Sequence, residues 1–472
     1  MNKKAFLLLM LLGMVVFSIN IVAQELWSLE KCIEHAYENN LTIKQSQLDV
    51  LAADEDLRQS KLNMIPSFNA GVSQNYRWGR NPNYQTNIYS SEQSQLFSTS
   101  VNSEITLFNG LQQLNNVKQK QFEQMVKKYN SDKIRNDISL YIAGGYLSIL
   151  FNIELVNNAQ RQVDISKEQI DRTEKQVEAG AIAKGSLYDI MAQGANEEAN
   201  LITAKNNLML AYLDLMQSLD LEASTNFDIE KPQLEITDSP TLLPPEMIFN
   251  KAVEIMPEIK SAEYSVMSAE KSLSIAKGMR SPRLYATGQY GSSFSDQIYD
   301  FDLVPDPTPE NPNNTKLVQG DVRPFGNQFK DNRAGGLFFG LQIPIFNGYQ
   351  VSTNIKKSKI YKESVDINLE QEKQVLRKNI ETAYADAVAA YQTYIARNKS
   401  VKAFNESFVY TEEKFNVGMV NSTDYNVAKI QLSTAESELA SAKYDYIFKV
   451  KILDFYLGRS LTLTDIASVE SN

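Results

Sequence analysis

The 472-residue chain has one cysteine, Cys32, and one histidine, His35, three residues apart and flanked by Glu30 and Glu34. One thiol and one imidazole cannot make a Cys/His metal set, an intrachain disulfide or a histidine triad. On the short amphipathic segment that carries them, Cys32 reads as core and His35 as a surface or boundary residue. Catalysis would have to rest on carboxylates alone, and among the 57 acidic residues no pair stands out. The expectation is no catalytic residue, no cofactor and no metal site. Removing Lys3 and Lys4 with the leader described below leaves 45 basic residues against 57 acidic, a net charge of −12, which argues against nucleic acid as a partner.

What the chain carries instead is a duplication. Leu107-Phe108-Asn109-Gly110 returns 238 residues later as Ile345-Phe346-Asn347-Gly348, and the same offset pairs Ile142 with Ile380, Gly180 with Gly418, Gln193 with Gln431, Leu201 with Leu439 and Leu219 with Leu457. Upstream the offset is 216, pairing Ala36 with Ala252, Ile43 with Ile259 and Pro66 with Pro282, so 22 extra residues lie inside the hairpin of copy two.

Lys3 and Lys4 precede an apolar run from Ala5 to Phe17, and 1–23 reads as a secretory signal cut after Ala23. No cysteine stands at that junction to take a lipid. Proline is absent from 83–231 and from 345–472, which leaves both blocks free to be helical.

Four segments alternate with period two. Phe68, Ala70, Val72, Tyr76 and Trp78 share a face of the first, and Thr99, Val101, Ile105 and Leu107 a face of the second. Copy two has Leu284, Ala286, Tyr290 and Phe294, then Leu337, Phe339, Leu341, Ile343 and Ile345. Each run has about the length that a tilted strand needs to cross a bilayer. Nothing in the chain is placed to cover the apolar faces, and Trp78 and Phe294 stand at strand ends as an interfacial girdle would. Lipid is the economical cover. Four strands cannot close a barrel, so copies must associate, and two, three or four of them would give 8, 12 or 16 strands.

Ile142, Ile149, Val156, Val163, Ile170 and Val177 mark a seven-residue repeat, with Ile380, Ala387, Tyr394, Val401, Phe408 and Phe415 in register in copy two. Strict heptads imply left-handed supercoiling against neighbouring helices, and a 70-residue rod would be about 105 Å long. Gly180 and Gly418 end the rods. Ser186 with Asp189, and Asn421 to Asp424, start shorter return helices as capping pairs. Segment 29–63 and return helix 186–219 together match one rod to within a residue, so two short helices stacked end to end should flank each long one.

The resulting layout is a first repeat at 24–219 (helix, strands 66–78 and 98–108, long helix 110–179, return helix 186–219) and an equatorial linker with a short helix at 220–257. The second repeat is 258–457 (helix, strands 282–294 and 335–346, long helix 348–417, return helix 424–457), followed by an equatorial tail at 458–472. The hairpin connection 295–334 holds five prolines and reads as a long polar surface loop.

With hairpin, LFNG-like strand end, rod, glycine turn and half-length return all present twice, and with LEKCIEHAYENN at 29–40, the sequence resembles the TolC-type outer-membrane efflux proteins (outer-membrane factors) over almost all the mature chain. That resemblance implies a membrane α+β fold, a homotrimer whose 12-stranded β-barrel in outer-membrane lipid is continuous with a 12-helix α-barrel in the periplasm. It implies a passive exit duct of a tripartite efflux or type I secretion system. Its partners would be a periplasmic adaptor (a membrane fusion protein) and an inner-membrane transporter of the resistance-nodulation-division or ATP-binding cassette type. The adaptor docks, in the family, at the tips that match Gly180, Ala181 and Ile182, and Gly418, Met419 and Val420. The periplasmic entrance constriction matches Asp424 and Ser186. Val427 and Val420 replace an aspartate and a basic residue of the family's best-known gate. The alternative is a periplasmic coiled-coil adaptor or scaffold, which would carry one helical hairpin bracketed by compact β-domains; this chain carries two hairpins.

Overall fold

The structure, a computed structural model, describes residues 26–82, 89–90, 93–222, 227–232, 234, 236, 242–308 and 310–463. The signal read at 1–23 and the end of the tail lie outside them. The chain divides into two compact units: Met1–Val50, Lys127–Ala262 and Leu369–Asn472 form one, Leu51–Val126 and Glu263–Asn368 the other.

Helices α1 (Leu29–Asn39) and α2 (Leu41–Leu62) precede strands β1 (Ser67–Arg77), β2 (Asn81–Pro82), β3 (Tyr89–Ser90) and β4 (Ser94–Phe108), then the long helix α3 (Gln112–Glu178) and its return α4 (Lys184–Ser218). The second copy follows as α5 (Pro245–Ile255), α6 (Pro257–Gly278), β5 (Arg283–Ser295), β6 (Tyr299–Pro305), β7 (Thr315–Val322), α7 (Phe325–Asp331), β8 (Ala334–Gln342), α8 (Gln350–Asn416) and α9 (Ser422–Tyr456).

In the second unit the sheet runs β1-β4-β5-β8, antiparallel throughout. Its register carries the period-two pattern across all four strands: Ala70 pairs with Val101 and Val101 with Tyr290, while Gly288 pairs with Leu337. One face is therefore apolar from edge to edge, and it is turned outward: Phe68, Val72, Phe339 and Leu341 are exposed, and Leu337 is 81% exposed. The opposite face is polar. There the Ser73 and Ser98 hydroxyls bond across strands at 2.7 Å, and Arg283 donates to Glu104 at 3.0 Å. A sheet that points its apolar side away from the protein, with β1 and β8 unpaired on their outer edges among the described residues, has the pattern of a barrel segment.

The LFNG and IFNG motifs turn strand into helix by consecutive left-handed residues, Gly110 and Leu111 (φ +68° and +61°) and Gly348 and Tyr349 (φ +61° at both). A Cβ on Gly110 would run into the Gly278 carbonyl and the Ser281 side chain, which explains the glycine there.

Three readings need correction. The helix read as unbroken over 29–63 divides at Asn40, whose side-chain oxygen accepts from the Thr42 and Ile43 amides and so caps α2. Copy two breaks at the equivalent place, between Met256 and Pro257. β8 ends at Gln342 rather than reaching 346, because Pro344 has no N–H for the ladder. The connection 295–334, read as loop, contains the hairpin β6–β7 and the helix α7.

In the first unit the heptad positions are buried or half-buried along both rods, with Ile142, Ile149, Ile380 and Ala387 fully enclosed. Each copy has its own core where the short helices meet the rod. Leu29, Cys32 and Ala36 pack with Ile142, Tyr146 and Leu215, and Ile248, Ala252 and Ile259 pack with Ile380, Ala383 and Leu453. Cys32 thus occupies the place that Ile248 holds in copy two, and burial pushes its thiol up to about 12. His35 is half-buried, its ring edge-on to Trp27. Linker residues Phe227, Ile229 and Leu234 join the first core. Trp27 and Ile229 form a bridge, and the Tyr146 hydroxyl lies 3.1 and 2.8 Å from the Trp27 and Glu230 carbonyl oxygens, sharing its proton between them.

Candidate functional site: the helical turns and the packing behind them

Both rods end in the same hydrogen-bonded turn. The Gly180 amide donates to the Val177 carbonyl and the Ala181 amide to Gln176; Gly418 donates to Phe415 and Met419 to Lys414. This six-to-one, five-to-two pattern needs a left-handed residue after the helix, and Gly180 and Gly418 supply it at φ +73° and +76°. Neither glycine has an atom within 4 Å of where a Cβ would stand, so the backbone conformation alone accounts for them. Beyond the turns, Ala181 is exposed and Ile182 half-buried. The second turn is the more apolar: Val417 and Met419 are 71% and 73% exposed. Val420 packs inward against a cluster of Phe408, Phe415, Tyr425, Ala428 and Leu432 that also takes in Ile190 from α4.

The two residues read as an entrance constriction are placed differently from each other. Asp424 is exposed in the first turn of α9, its amide capped by the Asn421 side chain at 2.9 Å. Ser186 does not start its helix. α4 begins at Lys184 with Ala183 as a cap that makes no side-chain bond, and the Asp189 carboxylate accepts from the Ser422 hydroxyl at 3.3 Å instead of closing a box with Ser186. Gly185 follows directly on Lys184, and the helix enters its first turn before a serine is available.

One constellation escaped the sequence reading. Lys429 on α9 is enclosed between the two hairpins, its ammonium 2.9 Å from Glu197 Oε2 on α4, 2.7 Å from Ser166 Oγ and 3.0 Å from the Gln162 carbonyl, both on α3. Ser166 also donates to Glu197, and Gln193 donates to its other oxygen at 3.1 Å. The two charged side chains are 3% and 7% exposed. Burial holds the Lys429 ammonium below the ordinary lysine range, because the cost of leaving water outweighs the attraction of Glu197. The signal was in the repeat: Met191 stands opposite Lys429 and Ala435 opposite Glu197, so each charge occupies a place that the other copy fills with an apolar residue. Close by, the Tyr425 hydroxyl is buried without a hydrogen-bond partner, and burial raises its pKa. Among the described residues no cluster of side chains could hold a metal ion.

An outward apolar sheet with open edges, repeated together with paired long helices, defines a component of a membrane channel. The chain belongs to the outer membrane efflux protein family, which matches residues 32–220 and 248–459 and so covers both repeats. It is similar to outer membrane protein TolC of Escherichia coli K12, 23% identical over 448 residues that span 91% of this chain and 82% of the relative. In fold it is similar to CusC, from a crystallographic study of folding and transmembrane channel formation, with a TM-score of 0.74 at 16% identity and 92% of each chain covered. It is also similar to the outer membrane protein VceC of Vibrio cholerae, with a TM-score of 0.72 at 15% identity, covering 92% of this chain and 96% of that one. The protein is an outer-membrane efflux channel of the TolC type, in a family of transport proteins rather than enzymes. The coiled-coil adaptor reading is left without support.

Proposed function

We propose that three copies close the four-stranded sheets into a 12-stranded barrel, and that the assembly is a passive exit duct driven through partners. The observation that carries this is the sheet: an apolar face turned outward and two free edges need lipid on one side and sister strands on both ends. A periplasmic adaptor docks at Gly180, Ala181, Ile182, Gly418, Met419 and Val420, and an inner-membrane transporter of the resistance-nodulation-division or ATP-binding cassette type supplies the energy. The exposed Met419 beside a turn held by backbone bonds is a fitting apolar contact for such an adaptor. Asp424, solvent-facing at a helix start, would bring three carboxylates to the entrance in the trimer and favour cations there, with Ser186 as its counterpart on the other hairpin.

The docking assignment is tested by Gly418→Asp with Met419→Asp, in cells lacking any sister duct. Loss of adaptor crosslinking and sensitisation to exported compounds is expected; unchanged resistance and crosslinking would remove it.

A further inference from the structure

The extra residues of copy two build a ledge on the lipid side of the sheet. Phe97 and Phe294 are Cα partners in neighbouring strands, and both lie on the face that carries Val101 and Tyr290. Helix α7 packs over them: the Phe325 ring lies 5.5 Å from Phe97 and 5.2 Å from Phe294, and it stacks on Phe329 at 5.5 Å. The position is fixed by polar bonds. Ser292, buried on the same face, donates to the Phe329 carbonyl at 2.6 Å, and Gln328 accepts from the Ser295 amide and donates to its carbonyl at 3.0 and 2.9 Å. Four residues further along the strands, at the partners Val101 and Tyr290, both exposed, the uncovered apolar face begins. Tyr76 and the exposed Trp78 stack at 6.3 Å on the same side of β1, at the same end of the strands.

A helix that only hid Phe97 and Phe294 from water would not need apolar surface of its own, yet Phe325 stays exposed after packing. Charge is sorted as well. Arg323 is committed to Asp300 and Asp331, whereas Lys330 and Arg333, at the end of α7 and next to β8, are exposed and have no carboxylate partner among the described residues. The Arg333 Nε–H donates to the Lys330 backbone carbonyl at 2.9 Å, which fixes the guanidinium at the end of α7.

We propose that α7 is an interfacial anchor: Phe325 and Phe329 sit at the outer boundary of the hydrocarbon, and Lys330 and Arg333 bind the phosphate of a lipid headgroup. Lipid is the occupant because the ledge is continuous with the lipid-facing side of the sheet, where aromatic rings mark the interface and cations meet phosphate just above it. This rests on the barrel reading, and the experiment separates the two.

With Trp27 and Trp78 replaced by Phe, single tryptophans at Leu337→Trp and Phe325→Trp are compared in vesicles of brominated phosphatidylcholine, with and without brominated phosphatidylglycerol. Quenching of both, deeper for position 337, is expected. Position 325 should favour the anionic lipid, with a loss of about fivefold for each of Lys330→Gln and Arg333→Gln. If position 337 is not quenched, the barrel reading fails. If 337 is quenched while 325 responds only to aqueous acrylamide, the ledge is a solvent-facing loop and the anchor is refuted. An anionic preference that is absent, or that survives both substitutions, refutes the phosphate site.

Discussion

Replacing Lys429 by methionine, the residue that copy one carries at the equivalent place, removes the cation from an enclosed carboxylate. Glu197 keeps two neutral donors, Ser166 and Gln193, so the loss should fall at the low end of that for a broken buried pair, about 3 kcal/mol. The double variant Lys429→Met with Glu197→Ala copies both apolar residues of the other repeat. It removes both desolvation costs together, so it should match the parent within about 1 kcal/mol or exceed it. The coupling between the two sites is then about 2 kcal/mol or more. Reversible urea unfolding of detergent-solubilised protein, followed by far-ultraviolet circular dichroism, measures all four corners of the cycle. The lowered pKa adds a sign. Between the native value and the ordinary lysine range the unfolded chain binds the proton more tightly, so the parent gains stability relative to the double variant as pH rises through that window. Below that window its disadvantage is full. A Lys429→Met variant as stable as the parent, or a double variant that loses the sum of the two single losses, would refute the reasoning.

Tyr425→Phe should stabilise the protein by about 1 kcal/mol in the same titration, because it removes a buried hydroxyl without a partner and leaves the ring among Phe408 and Phe415. Cys32 should resist iodoacetamide at mildly alkaline pH in the native protein and react on unfolding, since it is enclosed and its thiol is held up to about 12; alkylation of native protein at the rate of a free thiol would contradict its place in the core. Asp424→Ala should weaken the block of single-channel conductance by multivalent cations, and an unaltered block would remove Asp424 from the entrance.

The fold was legible because two periods are written plainly into the chain. Alternation at Phe68, Ala70 and Val72 and heptads at Ile142, Ile149 and Val163 each specify one kind of element, and the repeat supplies every element twice. Misreadings occur where local chemistry overrides the period: Asn40 caps a helix in the middle of an apolar pattern, and Pro344 interrupts a ladder that the side chains would continue. Helix α7 within 295–334 was opaque because its packing depends on Phe325 and Phe329 finding Phe97, which is more than 200 residues away. Gly180 and Gly418 were recognisable as turns because the left-handed conformation selects glycine. The Lys429 and Glu197 pair was not, because a charge on an amphipathic helix reads as solvated until a second helix is placed over it.

The central claim is that the apolar face looks into lipid and that free edges β1 and β8 meet those of sister copies. Native mass measurement of the protein released from lipid nanodiscs tests it most directly. Three chains in one particle, dissociating only with loss of sheet structure, is the predicted result. A single chain, soluble without detergent and with Leu337 and Phe339 shielded from solvent, would contradict it.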